Sequence, residues 1–559
     1  MQHYEKDVST KQTPQTEAVL GREAEMTQMR SGGYGFAVDR WVCLDRFLLL
    51  GSEGGSYYAS QRTLTRENAE ATLACIKEDG LRVVNRIVEV SDSGRAPKND
   101  PALFALALCA KQGDDSTKAA AYKALPKVAR IFTHLSHFLT YAKAFGGLGG
   151  NGLKRALRRW YTEMDAKRLA LQAVKYQQRD GWSHRDALRL AHAPYPQDER
   201  NAIFRYIVKG VENGLPSLTD TPEALRIIAA FEHAKDCGPG DVQRMVKLIS
   251  DYRLPHECVP NEFKQVPDIW AAMLPSMGLT ALMRNLNKMT QVGLLTGTSQ
   301  ATRDVIVRVS DPRNLHRARI HPINVLVALR TYAAGRGVRG SMTWDPVAQI
   351  VDALDAAFYT AFEFVEPTGL AYCLGLDVSG SMGSPASGTV LTCREAAAAM
   401  AMSVAKTEQR YETLGFTCGG DNVYGAARSS GFGHWGGGRD GVSRLSISPR
   451  ERLDDIINRV AALPFGGTDV ALPILWALQE KHPFDVFVNF TDNESWAGDI
   501  HVHQALRMYR EQVNPKAKLV CVAFAANNYS VADPKDAGQM DCVGFDAALP
   551  NVIRDFVLR

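Results

Sequence analysis

The sequence predicts a two-part protein of α plus α/β class, an array of amphipathic helices followed by an open, mostly parallel sheet covered on both faces. Two textures carry this reading. From about Val38 to Phe364, apolar residues recur three and four apart, as in NAEATLACIKEDGLRVVNRIVEV and PALFALALCAKQ, the spacing that gives a helix one apolar face. Beyond Glu366-Pro367-Thr368-Gly369, short apolar runs alternate with helical stretches, the pattern of strands buried on both faces by crossover helices. A length of 559 residues, 45% hydrophobic and 23% charged, suits a folded protein too long for a single core.

The opening residues are polar, carry charges of both signs and lack an apolar run. Residues 1–32 are therefore expected as a flexible tail, neither signal peptide nor anchor. Residues 33–368 form the helical part, its helices parted by SDSGRAPKND, FGGLGGNG and HAPYPQDE. Short amphipathic helices in series bury one another as stacked pairs, so an α-solenoid is expected, with a repeat that is structural and not visible in the letters.

Residues 369–559 open with the strand AYCLGLD, the helix CREAAAAMAMSVAKTEQ and the strand ETLGFT. The strands DVFVNFT and KLVCVAFAA follow, with helices near 450–461, 471–480 and 503–512, as a Rossmann-like domain requires. A Gly-rich insertion, 418–445, interrupts this part and is longer than a plain loop. A functionless insertion is the simpler reading, over a contact loop using Tyr424, Phe432 and Trp435. No apolar stretch reaches membrane-spanning length. The ten cysteines show no Cys-x-x-Cys pair and no zinc-type spacing, which fits reduced thiols in a cytoplasmic protein.

Asp377-Val378-Ser379-Gly380-Ser381 stands where the first strand of the predicted sheet ends. In an open α/β sheet, ligands bind at the carboxyl edge of the strands, so Asp377, Ser379 and Ser381 should converge there. Thr468 in FGGTD and Asp492 in FTDNE reach the same edge. Hard oxygen donors without thiolate or imidazole suit a divalent cation such as Mg2+; ordinary turn serines and a capping threonine are the competing reading. Ser379 and Ser381 have no His partner in motif spacing, and Asp377 lacks a second acid two residues on, so binding and not turnover is expected. His501 and His503 stand two apart without a further ligand and are expected to face solvent.

The net charge of +4 is small, but residues 151–210 carry thirteen Lys and Arg against six Asp and Glu, an excess of seven. Within that stretch Lys175 and Arg179 fall one helical turn apart. Asp180-Gly181-Trp182 breaks the helix, and Ser183 with Asp186 forms a capping box for the next one. Arg185, Arg189 and His192 then recur at helical spacing. Lys154, Arg155, Arg158 and Arg159 beside Trp160 add a second basic turn. Such a row of cations suits the phosphates and splayed bases of folded RNA, while a solvated helix face reads the same on charge alone. The candidate RNA-binding set is Lys175, Arg179, His184, Arg185, Arg189 and His192, with Arg284, Lys288, Arg319 and His321 ranked below.

Read together and in order, GSEGGSYY, PALFALALCA, KYQQRDGWSHRDALRLAH, LTALMRNLNKMT, RIHP, LDAAFY, EPTG, DVSGSM, GGTD and VFVNFTDNES resemble the Ro autoantigen, or TROVE-domain, family. The resemblance implies a closed ring of HEAT-like helical repeats with a C-terminal von Willebrand factor A-like domain. It implies a metal-ion-dependent adhesion site at Asp377, Ser379, Ser381, Thr468 and Asp492, and Y RNA contacts at Lys175, Arg179 and His192. It further implies binding of Y RNA on the outer basic surface, single-stranded 3′ ends of misfolded RNA in the ring, and a tether to polynucleotide phosphorylase. The functional expectation is a monomeric, non-enzymatic RNA-quality-control protein without a membrane partner. The alternatives are a metal-dependent protein-interaction module on a helical scaffold and, last, a metal-dependent nuclease or phosphatase.

Overall fold

The computed structural model describes residues 12–50, 70–211, 214–337, 341–361, 366–384, 391–418, 441–463, 466–524, 528–544 and 546–559. GSEGGSYY and most of the Gly-rich insertion lie outside these residues.

The chain begins with an element that the sequence hides. Residues 12–37 are not a free tail but a strap on the C-terminal domain. Strands β1 (Met26–Gln28) and β2 (Tyr34–Ala37) pair antiparallel, and Val19, Met26, Met29 and Phe36 are buried. Gln15 fixes the strap. Its Nε2 donates to Asp469 Oδ1 (2.7 Å) and Ile500 O (2.9 Å), while its Oε1 accepts from Ser495 Oγ (2.6 Å) and Gly498 N (3.2 Å). A buried amide satisfied at both ends outweighs the polar composition that argued for disorder. Gln15→Ala strands those buried partners and is expected to cost about 3 kcal/mol. A thermal melt reads this as a lower transition for the C-terminal domain; an unchanged melt would show that the strap adds nothing.

The apolar periodicity beyond Val38 is realised as helices from Arg40–Leu50 and Glu70–Ser93 through to Ala348–Thr360. The first helices pack on their second neighbours as well as their first: Glu70–Ser93 meets Asp100–Gln112 and Asp115–Val128, and Asp100–Gln112 meets Phe132–Gly146. This is the stacked-pair logic of a solenoid. Gly80 permits one such approach, since a Cβ there would lie 2.1 Å from Thr117 Oγ1. The array then returns to its start. Arg319 donates to Asp92 Oδ1 at 2.7 Å, and Asn324 Nδ2 to Pro97 O at 3.4 Å, across 227 residues of chain in each case, closing the helices into a ring. Within this part, β3 (Gln178–Arg179) and β4 (Trp182–Ser183) form a small hairpin.

The C-terminal domain is built on β5 (Ala371–Asp377), β6 (Arg410–Phe416), β7 (Val442–Leu445), β8 (Val486–Thr491) and β9 (Lys518–Ala523), followed by β10 (Tyr529–Ser530) and β11 (Gln539–Val543). The main sheet runs β11-β9-β8-β5-β6-β7, parallel except for β7, while β10 extends the strap sheet through β2. From β5 the chain first builds outward to β6 and β7, then returns to β8 on the other side. The topological switch therefore falls between β5 and β8. Strand β7, at the end of the Gly-rich insertion, was not legible as a strand.

Ionic and polar contacts hold this domain to both ends of the ring. Arg46 meets Asp541 at 2.6 Å and Arg95 Nε donates to Asp546 Oδ1 at 3.0 Å near the first helices. Near the last, Arg330 donates to Asn458 Oδ1 (2.8 Å) and Glu395 Oε1 (2.6 Å), and Asp355 accepts from Leu453 N (2.7 Å). All ten cysteines are free and nine are buried. No helix among the described residues is long and apolar enough to cross a membrane.

Candidate functional site

At the switch point, the end of β5 delivers Asp377 and the end of β8 delivers Asp492, both with 0% exposure. Asp377 Oδ1 accepts from Ser379 N at 2.9 Å and its Oδ2 from Thr491 Oγ1 at 2.7 Å. Ser379 Oγ lies 3.1 Å from Ser381 Oγ, and Asp492 Oδ1 accepts from Glu494 N at 3.1 Å. Gly380 N donates to Gly466 O at 3.2 Å, which ties the serine loop to the loop carrying the buried Thr468. Arg394 holds the serine loop from behind by donating to Val378 O (2.8 Å) and Ser379 O (3.0 Å).

The structure thus brings Asp377, Ser379, Ser381 and Asp492 together, with Thr468 buried on the adjoining loop. Burial raises the Asp377 pKa, and burial followed by the charge of Asp377 pushes Asp492 up to about 8. Two buried carboxylates in electrostatic contact, with the Ser379 and Ser381 hydroxyls beside them, are oxygen donors of the kind that could hold a hard divalent cation. Among the described residues no group of three His, Cys, Asp or Glu offers a competing metal cluster. Sequence reasoning missed Thr491 and Arg394, which hold Asp377 and the serine loop, and Gln15, which holds Asp469 next to Thr468. Thr491 stood beside Asp492 in the quoted motif; the other two have no local signal.

His501 and His503 do not face solvent. Both are buried under the strap, His501 Nε2 at 2.8 Å from Glu17 O and the His503 ring 5.1 Å from that of Phe36. Burial lowers both pKa values, that of His503 to about 3 with help from His501.

On the ring, the helix Ala166–Lys175 ends at Lys175, so Arg179 does not follow it on a helical face. Asp180 (φ 48°) and Gly181 (φ 77°) instead make the two-residue turn between β3 and β4, as left-handed Asp-Gly pairs do. The two cations meet nonetheless on Tyr176, with Lys175 Nζ 5.3 Å and Arg179 Cζ 5.5 Å from its ring centroid. The hairpin is anchored from below. Asp180 Oδ2 takes Ser136 Oγ (3.1 Å) and lies 3.0 Å from His137 Nε2, and Trp182 Nε1 donates to Thr140 Oγ1 (3.1 Å). Burial pulls the His137 pKa down, but Asp100 and Asp180 more than offset it, so the net shift is upward.

The expected capping box is present, with Ser183 Oγ accepting from Asp186 N (3.2 Å) and Asp186 Oδ2 from Ser183 N (3.0 Å). It starts the helix His184–Ala191, which displays Arg185 and Arg189 to solvent and ends on an exposed, left-handed His192 (φ 46°). Among the described residues no carboxylate pairs with Arg185 or Arg189. In the second basic turn, Arg158 Nε donates to Ala191 O at 2.8 Å and Trp160 is core, its Nε1 donating to Ala129 O at 2.6 Å.

Two predicted contacts are corrected. His184 opens the helix His184–Ala191 pointing inward, stacked on Phe132 at 3.7 Å between centroids and placed 3.0 Å from Tyr161 Oη and 3.1 Å from Gln172 O. Burial drives its pKa to about 3, so it is a neutral core residue that presents nothing to a polyanion. His321 is likewise buried; its Nδ1 accepts from Ile323 N at 3.0 Å and caps the helix Pro322–Ala333. Of the lower-ranked set, Arg284 is exposed, Lys288 Nζ donates to Gln265 (2.6 Å) and Gln291 (2.8 Å), and Arg319 belongs to the ring closure.

A closed helical ring bearing a von Willebrand factor A-like domain defines the class of protein. Family models match accordingly: the TROVE domain over residues 27–226 and 253–331, and the Ro60 vWA domain over residues 371–557. The chain is 40% identical over 547 residues to the RNA-binding protein RO60 of Deinococcus radiodurans, covering 97% of each. It is 34% identical over 600 residues to the protein of the same name from Caenorhabditis elegans, covering 94% of this chain and 89% of that one. The crystal structure of the Deinococcus radiodurans RO (RSR) protein superposes with a TM-score of 0.68 at 40% identity, covering 93% of this chain and 99% of that one. The chain belongs to the Ro60 family.

Proposed function

We propose that this protein binds structured noncoding RNA through the hairpin and the helix that follows it. The observation that supports this most directly is the row of exposed Arg185 and Arg189, without carboxylate partners among the described residues, beside the Lys175 and Arg179 pair on Tyr176. Cations gathered on an aromatic ring, Lys175 only weakly paired with Glu257 at 3.4 Å, suit phosphates and unstacked bases, and the relatives carry RNA binding in their names. The ligands of this surface are Y RNA or Y-like small RNAs, and the ring takes single-stranded 3′ ends of misfolded RNA. Through the bound RNA the protein is tethered to an exoribonuclease of the polynucleotide phosphorylase type. It acts as a cytoplasmic, monomeric scaffold without chemistry of its own.

At the sheet edge, Asp377, Ser379, Ser381, Thr468 and Asp492 hold a divalent cation such as Mg2+, directly or through water. When bound, the cation supplies a Lewis-acidic position for a carboxylate or phosphate oxygen of a partner. The protein's own part is to bring two buried carboxylates together and to fix the hydroxyl loop through Arg394 and Gly466.

The test is retention of a stem-loop transcript by the purified, RNA-free protein over a series of salt concentrations. Binding is expected at low ionic strength and is lost steeply as salt rises. A protein that ignores folded transcripts at low salt refutes the reading, and capture of an acidic protein partner without RNA would favour the interaction-module alternative.

A further inference from the structure

The ring closes where residues 91–97 meet residues 316–324, and three arginines from distant stretches of chain converge on that seam. Arg319 donates to Asp92 Oδ1 at 2.7 Å. Arg130, entering between the helices Asp115–Val128 and Phe132–Gly146, donates to the neighbouring Ser91 Oγ at 3.0 Å. Arg168, on the helix Ala166–Lys175, donates to Arg130 O at 2.8 Å. Among the described residues, Asp92 is the one carboxylate ion-paired within this trio.

We propose that Arg130, Arg168 and Arg319 form a phosphate-binding cluster across the ring-closing seam, occupied by the backbone of bound RNA. A planar guanidinium pairs naturally with phosphate oxygens, and three of them against one carboxylate leave an unmet positive charge. Burial chiefly lowers the Arg130 pKa, the charges of Arg319 and Arg168 add to this and Asp92 opposes it, so the three guanidinia lie within electrostatic reach of one another. Arg319 also keeps a left-handed backbone (φ 49°) with its Cβ over Gly94. That conformation closes the helix Pro312–Arg317, with Arg319 N donating to His316 O (2.9 Å) and Ile320 N to Leu315 O (3.0 Å), so the arginine is held at a fixed point of the seam.

Continuity decides between an RNA backbone and a free anion. Arg168 and Lys175 lie seven residues apart on one helix, which is two turns, about 10 Å, and the same side. A strand held by Lys175 and Arg179 at one end of that helix therefore meets the seam at the other. This inference rests on the RNA-binding reading above and adds a second, separate stretch of contact.

The experiment uses the full chain, a short homouridine oligonucleotide without terminal phosphates, and anisotropy over several salt concentrations. The triple variant Arg130→Gln, Arg168→Gln, Arg319→Gln is expected to bind weakly and to show a salt slope shallower by about two, roughly 0.7 per lost single-strand phosphate. Asp92→Asn is expected to bind about fivefold tighter, the factor that one like charge at contact distance is worth in water. Both variants break the Arg319–Asp92 pair, so damage to the seam alone would move them in the same direction; opposite directions are the mark of an anion site. A wild-type slope in the triple variant, or no gain in Asp92→Asn, overturns the cluster while leaving stem-loop binding by the wild type intact. Failure of the wild type to bind any RNA instead removes the reading on which the cluster rests. Hydrogen exchange at residues 91–97 and 316–324 is expected to slow with the oligonucleotide and not with inorganic phosphate at equal phosphate concentration. Protection by inorganic phosphate alone would assign the cluster to a free anion and overturn its assignment to RNA.

Discussion

Replacing Lys175, Arg179, Arg185 and Arg189 together by Ala is expected to weaken binding of a stem-loop RNA by about a thousandfold, at roughly 1 kcal/mol for each phosphate contact. The dependence of log affinity on log salt should become shallower by about 3.6, because each of the four contacts releases roughly 0.9 of a counterion from a duplex stem. The fold should not suffer. Arg185 and Arg189 project from an exposed helix face without carboxylate partners among the described residues, and the Lys175–Glu257 pair at 3.4 Å is a partly exposed ion pair of small net worth. Anisotropy at several salt concentrations, with a thermal melt alongside, separates lost contacts from lost structure. A quadruple variant that keeps the wild-type slope would remove this face from the RNA interface.

What the sequence could show depended on how local each determinant is. The capping box of Ser183 and Asp186 involves residues three apart, and it stands as read. Asp180-Gly181 was read only as a helix break, because the hairpin it makes depends on Ser136, His137 and Thr140, some forty residues upstream. Histidine is the residue type for which letters inform least. His184 and His192 flank the same helix, yet one stacks in the core on Phe132 and the other caps an exposed end. Helical spacing places residues on a face and cannot say which neighbour will cover it. The strap was missed for the same reason, its apolar points being few and irregular and its anchor a single glutamine whose partners lie more than 450 residues away. The sheet edge was legible because a strand that ends in Asp-x-Ser-x-Ser fixes its own direction, and the switch between β5 and β8 brings Asp492 beside it.

The same edge carries the second large effect. Metal-free protein should gain thermal stability in the C-terminal domain when Mg2+ is added, by about 2.7 kcal/mol at a hundredfold excess over the dissociation constant. For a domain of this size that is a rise of about 5–10 °C. Asp377→Ala and Asp492→Asn should both abolish the response, yet they should differ without metal. Asp377→Ala removes the acceptor of Ser379 N and Thr491 Oγ1, leaving buried donors unmet and the domain less stable. Asp492→Asn removes a carboxyl that burial and Asp377 oblige to take up a proton on folding and keeps an oxygen for Glu494 N, so at neutral pH the metal-free variant should melt above the metal-free wild type. Calorimetric scans with chelator and with Mg2+, Mn2+ or Ca2+ read both signs. A wild type indifferent to all three cations would refute the metal site, and destabilisation by Asp492→Asn without metal would show that the two carboxylates are not in conflict. Opposite signs in the two variants would mean that the fold tolerates an electrostatic cost at this edge, which it has reason to keep only if a cation is there to relieve it.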